Sequence, residues 1–455
     1  VSRKTPPDRA GAQHDSHQRG IASHQPRSAS HHRQARHGWL EALVVVLAGL
    51  LVMAVVAALG LWAAGAAGLP DAAFPRVVAA VVVMAVGGSV RFSGDAGALA
   101  ETRAELSVIP LSVTLAGALV IAAGILRPLR HRAVAGSREL AGWAGRLAVL
   151  WALALIGLSL LARATFAVPA GSETLSELGD LLDVSPRIGF ETDLPVTLLF
   201  GLLWLVGLFV LTLLVSRRAP LPAHLVRFQE SVRPAAFTMV VLLLVWVAGG
   251  AVIGLLSAAV QGGAAGKLAV LLLCLPNLTW LALTIGLGAS WEGRVEGQPF
   301  DLPMPQALDT VLRDADDSTL SLRSLTDVDG RWWWLAVLAG ILVLACAFLM
   351  AVRSPARLRA WRHAVHMAVA LALTVLTICL VARVSAHFAL SVLGFGDLGG
   401  GLSGEVSLRP RLWTALGFAL LWGFVGGFLG GLLAGRVQRR GEVRAAVRPT
   451  AAPKA

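Results

Sequence analysis

The stretch that decides the fold is Leu194–Val215, LPVTLLFGLLWLVGLFVLTLLV, followed at 217–233 by RRAPLPAHLVRFQESVR. A helix over its 22 residues rises about 33 Å at 1.5 Å per residue, enough for a bilayer core of ~30 Å. No charge interrupts it, and four arginines crowd the next 17 residues. An apolar run closed by a basic loop is the signature of a membrane helix that ends on the cytoplasmic side.

The same pattern repeats outward in both directions. Crossings are predicted at 39–65, 107–126, 143–161, Leu194–Val215, 235–260, 332–352, 365–385 and Leu412–Ala434. The composition agrees, with 56% of the 455 residues hydrophobic and 15% charged, against ~25% charged in a soluble domain. That balance excludes a soluble enzyme, a disordered protein and a disulfide scaffold. Cys274, Cys346 and Cys379 each stand alone in an apolar run and read as small buried residues.

Net charge is +12, yet it is an orientation signal rather than one for nucleic acid. Lys and Arg collect in the tail 1–38, at 127–146, at 217–233, at 353–362 and at 436–454. These five stretches fall on one side if the eight runs cross and two other apolar segments, 76–89 and 267–290, do not. The inside then holds 26 of the 39 cations and the outside 21 of the 27 acids.

The two remaining segments read as re-entrant or half-membrane pieces with both ends outside. Segment 76–89 is too short to span. Segment 267–290 is long enough, but Pro276 removes a backbone donor and Asn277 adds an amide beside it, so this pair is the candidate helix break. The alternative is two tilted or kinked full crossings.

The halves also resemble each other. Gly201-Leu202-Leu203-Trp204 matches Ala419-Leu420-Leu421-Trp422 at a shift of 218, as Ala152–Leu155 matches Ala370–Leu373. Leu115-Ala116-Gly117 matches Leu338-Ala339-Gly340 at 223, and Gly87-Gly88-Ser89 matches Gly288-Ala289-Ser290 at 201. Four crossings per unit is an even number, so the repeats are expected to be parallel, about an axis along the membrane normal. The expected fold is an all-α polytopic membrane protein. It has eight full transmembrane helices plus two re-entrant or half-membrane segments, ten apolar helices in all. Two parallel pseudo-repeats carry small extracytoplasmic caps with short hairpins. The expected division is a disordered basic cytoplasmic tail over 1–38, a first membrane repeat over 39–218 and a cytoplasmic linker over 219–233. A second repeat over 234–435 contains the extracytoplasmic segment 291–331, and a basic cytoplasmic tail covers 436–455. Within the outer segments, 306–315 reads as a short helix, 318–325 as a strand, and 89–109 as a small hairpin.

Chemistry-bearing residues are few. No carboxylate lies mid-span, so coupling through buried acids has little support. Arg163 and Arg383 stand at equivalent outer helix ends, as candidate contacts for an anion or lipid head, or as residues that snorkel to the interface. His363 and His366 share a helix face but do not complete a metal site, and His387 lies too far along to join them. The tail histidines read as polar solvated residues. Ser403 sits in a protease-like GLSG, but no histidine follows it as base. Asp314 and Asp316 open a calcium-loop pattern that Thr319 and Leu325 break. No catalytic, cofactor or metal residues are therefore assigned. Trp332-Trp333-Trp334 reads as an interfacial aromatic belt. Gly423, Gly427, Gly431 and Gly435 recur every fourth residue and read as a helix-packing face.

Asp329-Gly330-Arg331-Trp332-Trp333-Trp334, the later Trp361-Arg362-His363-Ala364 and the overall pattern resemble the streptophobe family over roughly 39–435. Those are multi-pass membrane proteins of GC-rich Gram-positive bacteria. The resemblance implies a bacterial plasma membrane and supplies no catalytic residues. Both termini are expected in the cytoplasm. The expected partner is the lipid bilayer; no nucleic acid is expected, and the sequence names no protein partner. Two functions stay open, transport or channelling of a small molecule or lipid, and a non-transporting envelope scaffold or regulatory component. An enzyme ranks third.

Overall fold

The computed structural model describes residues 27–68, 73–95, 100–129, 137–167, 187–216, 223–261, 263–295, 319–354, 359–392 and 403–436. The expected helix at 306–315 and the tail 1–26 lie outside them. By compactness the chain divides into Val1–Glu41 and Ala42–Ala455. Of the first, the opening turns of one helix are described. All packing below belongs to the second.

Eleven helices are described. They are α1 Arg27–Ala63, α2 Ala73–Ala85, α3 Leu111–Leu129, α4 Ser137–Leu161, α5 Leu194–Val215 and α6 Ala223–Gln261. After them come α7 Ala264–Gly286, α8 Leu322–Val328, α9 Trp334–Arg353, α10 Ala360–Val381 and α11 Leu412–Ala434. Eight stretches are long and apolar enough to cross a membrane, and they make the chain a multi-pass integral membrane protein. This set differs from the sequence expectation in one exchange. Ala264–Gly286 qualifies, whereas the apolar part of α3 shrinks to Leu111–Arg127. The reason is local: a strand takes 100–107, and α3 starts only after Pro110, whose carbonyl accepts from Val113 N at 3.0 Å. Two helices reach beyond their expected limits. Helix α1 begins at Arg27, inside the expected tail, and α6 runs through the expected linker and through Pro234.

Exposure patterns follow the solvent. Helix α5 buries only Thr197, Gly201, Leu205 and Thr212, and leaves Leu199 65% and Leu203 61% exposed. In water such a surface would be untenable; facing acyl chains it costs nothing.

The largest departure from the expected fold is a sheet. Eight antiparallel strands lie in the order β3-β4-β1-β2-β7-β8-β5-β6. They are β1 Val90–Asp95, β2 Ala100–Ser107, β3 Ala164–Ala167, β4 Arg187–Thr192, β5 Trp291–Val295, β6 Thr319–Leu320, β7 Val384–Val392 and β8 Ser403–Pro410. The expected hairpin at 89–109 is β1–β2, with Val90 opposite Leu106. The expected strand at 318–325 survives as two residues of β6 before α8. Strand β2 pairs with β7 in register from Ala100↔Val392 to Ser107↔Ser385, and this pairing makes one sheet of two local ones. Helices α2, α4, α7 and α10 lead into strands, and α3, α5, α9 and α11 follow them.

Close packing is concentrated on α11. A Cβ on Gly423 would lie 2.5 Å from Ala368 Cα, and one on Gly427 2.7 Å from the His363 carbonyl. Gly426 and Gly430 make the opposite face, against Val343 and Ala347 of α9. Helix α11 is thus a thin wedge between α9 and α10, the close approach that small residues allow in lipid.

Candidate functional site: a central cavity and the joint beside it

Helices α3, α5, α6 and α10 wall a cavity of about 2140 Å³. Ligand pockets commonly hold ~300–1,000 Å³, so this one exceeds the need of a drug-sized molecule. At the sheet end it is lined by Gly87, Ile109 and Leu111. Its far end is formed by Leu126, Ser216, Arg233, Phe237 and Arg353. Between them the walls are mainly Leu, Ala and Val, with Trp204, Trp280, Thr374 and Thr377 as amphipathic exceptions. The two threonine hydroxyls donate to the carbonyls of Ala370 and Leu373, so they spend their hydrogens inside α10. Among the described lining residues the only charges are Arg233 and Arg353. The Arg353 guanidinium lies 4.0 Å from the Phe237 ring centroid, a stacking that fixes its plane.

Beside the cavity, α7 is tied to the start of α3 by four hydrogen bonds. Asn277 Oδ1 accepts from Leu111 N at 3.0 Å, and its Nδ2 donates to Ile109 O at 2.9 Å. Ser112 Oγ donates to Leu271 O at 3.0 Å and accepts from Leu275 N at 3.1 Å. Leu275 N and Leu271 O are an i→i−4 pair of α7, and the Ser112 hydroxyl bridges them from another helix. The bridge lies directly before Pro276, whose missing N–H deprives Leu272 O of its usual donor. Helix α7 is helical throughout, Pro276 and Asn277 included, so the chain does not stop there.

The other expected residues lie apart from this site. Arg163 and Arg383 are exposed, each between a helix end and the next strand, and neither lines the cavity. Gly423, Gly427 and Gly431 lie along α10; Gly435 follows α11, where a Cβ would meet only its own helix's carbonyls. His363 is fully buried against the Gly427–Gly431 face, and His387 is exposed on β7. Among the described residues no group of three metal-ligating side chains occurs. Sequence reading missed Arg233, Arg353 and Phe237 as a site because each sits in a stretch counted only for its charge or its hydropathy. It missed Ser112 because its partner lies 163 residues away.

Comparison with protein-family models, with curated proteins and with solved structures finds no match for this chain.

Proposed function

We propose that this protein transports or channels a small molecule or lipid through the cavity between its two halves. The observation that carries the reading is the cavity itself, apolar over most of its length and larger than a compact solute needs. Part of its wall is open, where the lining residues Leu119 and Leu203 are exposed, so a solute or an acyl chain can enter it from the bilayer.

The proposed frame is a duplicated bundle of the streptophobe type in a bacterial plasma membrane. Matched contacts support the duplication. Gly87 lies against Phe200, and Gly288 against Phe418. Asp193 N donates to Ser89 O, and Arg411 N to Ser290 O. The first partner advances by 201 and the second by 218, the shifts already present in the sequence. Gly87 (φ 94°) and Gly288 (φ 103°) close the same helix cap. Gly88 N bonds Val83 O and Gly87 N bonds Met84 O; Ala289 N bonds Thr284 O and Gly288 N bonds Ile285 O. Each is a Schellman motif, which needs the left-handed glycine. The strand order also reads 3-4-1-2 and then 7-8-5-6.

In this frame α2 and α7 are re-entrant and the sheet is extracytoplasmic. Helix α1 runs antiparallel to α3, as Val45–Gly124, Gly49–Ile121 and Met53–Gly117 contacts require, so it climbs toward the sheet. Phe237 beside Arg353 makes α6 climb as well. Helix α7 then starts on the sheet side and returns to it through β5. Its end dips: Leu287 O accepts from Trp422 Nε1, ten residues into α11. The described parts of the Arg-rich stretches 127–146, 217–233 and 353–362 then lie opposite the sheet, and the proposed topology puts both termini in the cytoplasm.

The test is flux. Vesicles holding the purified chain should translocate a short-chain fluorescent phospholipid or release trapped small solutes faster than empty vesicles. Filling the cavity with Ala122→Trp should remove the gain. Reconstituted, monodisperse protein that moves none of these probes would overturn the transport reading.

A further inference from the structure

We infer that the Arg233–Arg353 end of the cavity is a binding site for the anionic head of a membrane lipid, whose acyl chain fills the apolar length. The inference rests on the proposal that the cavity holds a ligand, and adds the ligand's chemistry and direction.

The two ends of the cavity differ in charge. Arg233, Arg353 and Ser216 line the same end, where Arg353 stacks on Phe237, and the described lining contains no carboxylate. Guanidinium groups bind phosphate and carboxylate oxygens through a planar fork of donors. Stacking on Phe237 holds the Arg353 plane while leaving its edge N–H groups for an anion. A free anion would engage this end alone and leave the apolar length without a use. The lining from Leu126 to Leu111 of α3 runs 15 residues, about 22 Å of helix. That is longer than one leaflet of a ~30 Å core, so the slot has the length for an extended acyl chain. The basic end belongs to the same side as 217–233 and 353–362, and the cytoplasmic leaflet is the one that carries anionic lipid. Charge, length and leaflet thus select one occupant, an anionic phospholipid with its head toward the Arg-rich side.

The test uses the full-length protein, delipidated in detergent and titrated separately with phosphatidylglycerol, phosphatidylcholine and inorganic phosphate. Bound species are counted by native mass spectrometry. Wild type should prefer phosphatidylglycerol over phosphatidylcholine by about tenfold or more, the scale of one or two charge-assisted hydrogen bonds. Arg233→Gln with Arg353→Gln should abolish that preference while phosphatidylcholine still binds, and the paired Lys variants should restore part of it. Arg163→Gln with Arg383→Gln should leave it unchanged. Ala122→Trp, or the smaller Ala118→Phe if the first is not monodisperse, should lower binding of both lipids. An unchanged preference in the double Gln variant overturns the headgroup site but leaves the cavity reading intact. Unchanged binding of both lipids in the filled variants overturns the cavity reading as well. Inorganic phosphate that binds as tightly as phosphatidylglycerol shows an anion site without a lipid, and overturns the proposal.

Discussion

Arg91 Nη2 on β1 stands 2.8 Å from Asp193 Oδ2 at the head of α5. Advancing the first by 201 and the second by 218 arrives at Glu292 and Arg411, 2.7 Å apart with the charges exchanged. The same strand-to-helix joint is therefore made twice with opposite polarity. An exchange of this kind requires both partners to change, which ties the two positions to each other as a pair.

Reversing the first pair should then be tolerated. Arg91→Glu alone sets two carboxylates side by side, and Asp193→Arg alone sets two guanidinium groups side by side. Arg91→Glu with Asp193→Arg should recover the ion-pair part of the loss, because Glu292 and Arg411 already hold that arrangement. Arg91, Glu292 and Arg411 are about half exposed and Asp193 is partly buried, so the coupling should be about 0.2–1 kcal/mol. Asp193 Oδ1 also accepts from Val196 N at 3.2 Å, a cap worth ~0.5–2 kcal/mol that the double variant does not regain. Thermal unfolding of the four proteins in one detergent measures the cycle. Strictly additive losses would dissolve the pair.

The joint between α3 and α7 makes a sign prediction. Asn277→Leu strands Leu111 N and Ile109 O, both at a helix start where no other partner is in place. The loss should be about 1–3 kcal/mol per orphaned group in a dry site, and nearer 0.6 where lipid-side partners substitute. Ser112→Ala differs, because Leu275 N and Leu271 O are spaced to bond each other once the hydroxyl leaves. It should therefore cost much less than Asn277→Leu, although it also removes two hydrogen bonds. Amide exchange at Leu275 in a bilayer mimetic reads the closure directly. Equal destabilisation by the two variants would mean that the Leu271–Leu275 pair does not make up for the lost hydroxyl.

How much of this was legible in the sequence depends on the range of the interaction. The ten apolar helices were readable because a 20-residue run carries its own signal. The shifts of 201 and 218 between similar sequence blocks were readable too, and the same shifts separate the ion pairs Arg91–Asp193 and Glu292–Arg411. The sheet was not. Strand β2, AETRAELS, is short and polar, and its partner β7 lies between 278 residues away, at Ser107↔Ser385, and 292 away, at Ala100↔Val392. Pairing at that distance leaves no local pattern, and the Trp and Arg at the strand ends read as interface residues. The basic end of the cavity escaped for a related reason: Arg353 and Arg233 were counted as flanking charge, and only folding brings Arg353 onto Phe237.

The glycine face of α11 separates packing from backbone freedom. Gly423→Ala and Gly427→Ala press a methyl into the backbone of α10 and should each cost about 1–3 kcal/mol by overpacking. Gly417 has open space around its Cβ direction, so Gly417→Ala should be neutral or slightly stabilising, since alanine favours the helix. Gly427→Leu should lower the folded yield outright. The yield of monodisperse protein and its midpoint of thermal unfolding are the measurements. Gly423→Ala behaving like Gly417→Ala would remove the close α10–α11 contact from the structure's support.

The orientation rests on the side taken by the Arg-rich stretches. Cys274 is half-buried and Cys346 and Cys379 are buried, so all three can be changed to Ala with small volume loss before single cysteines are placed. Cysteine at 130 or at 227 should then escape a membrane-impermeant thiol reagent in intact cells and react after lysis. Cysteine at Thr102 on β2, or at Ser385 on β7, should react in intact cells, since both strands belong to one sheet, which the proposed topology puts outside. The decisive position is Gly263, between α6 and α7. If α7 is re-entrant, a cysteine there labels from outside together with the strands. If α7 crosses in full, it labels only after lysis, and positions 130 and 227, kept on one side by the two crossings between them, must both react in intact cells. That result would move the basic stretches to opposite faces and end the eight-crossing arrangement.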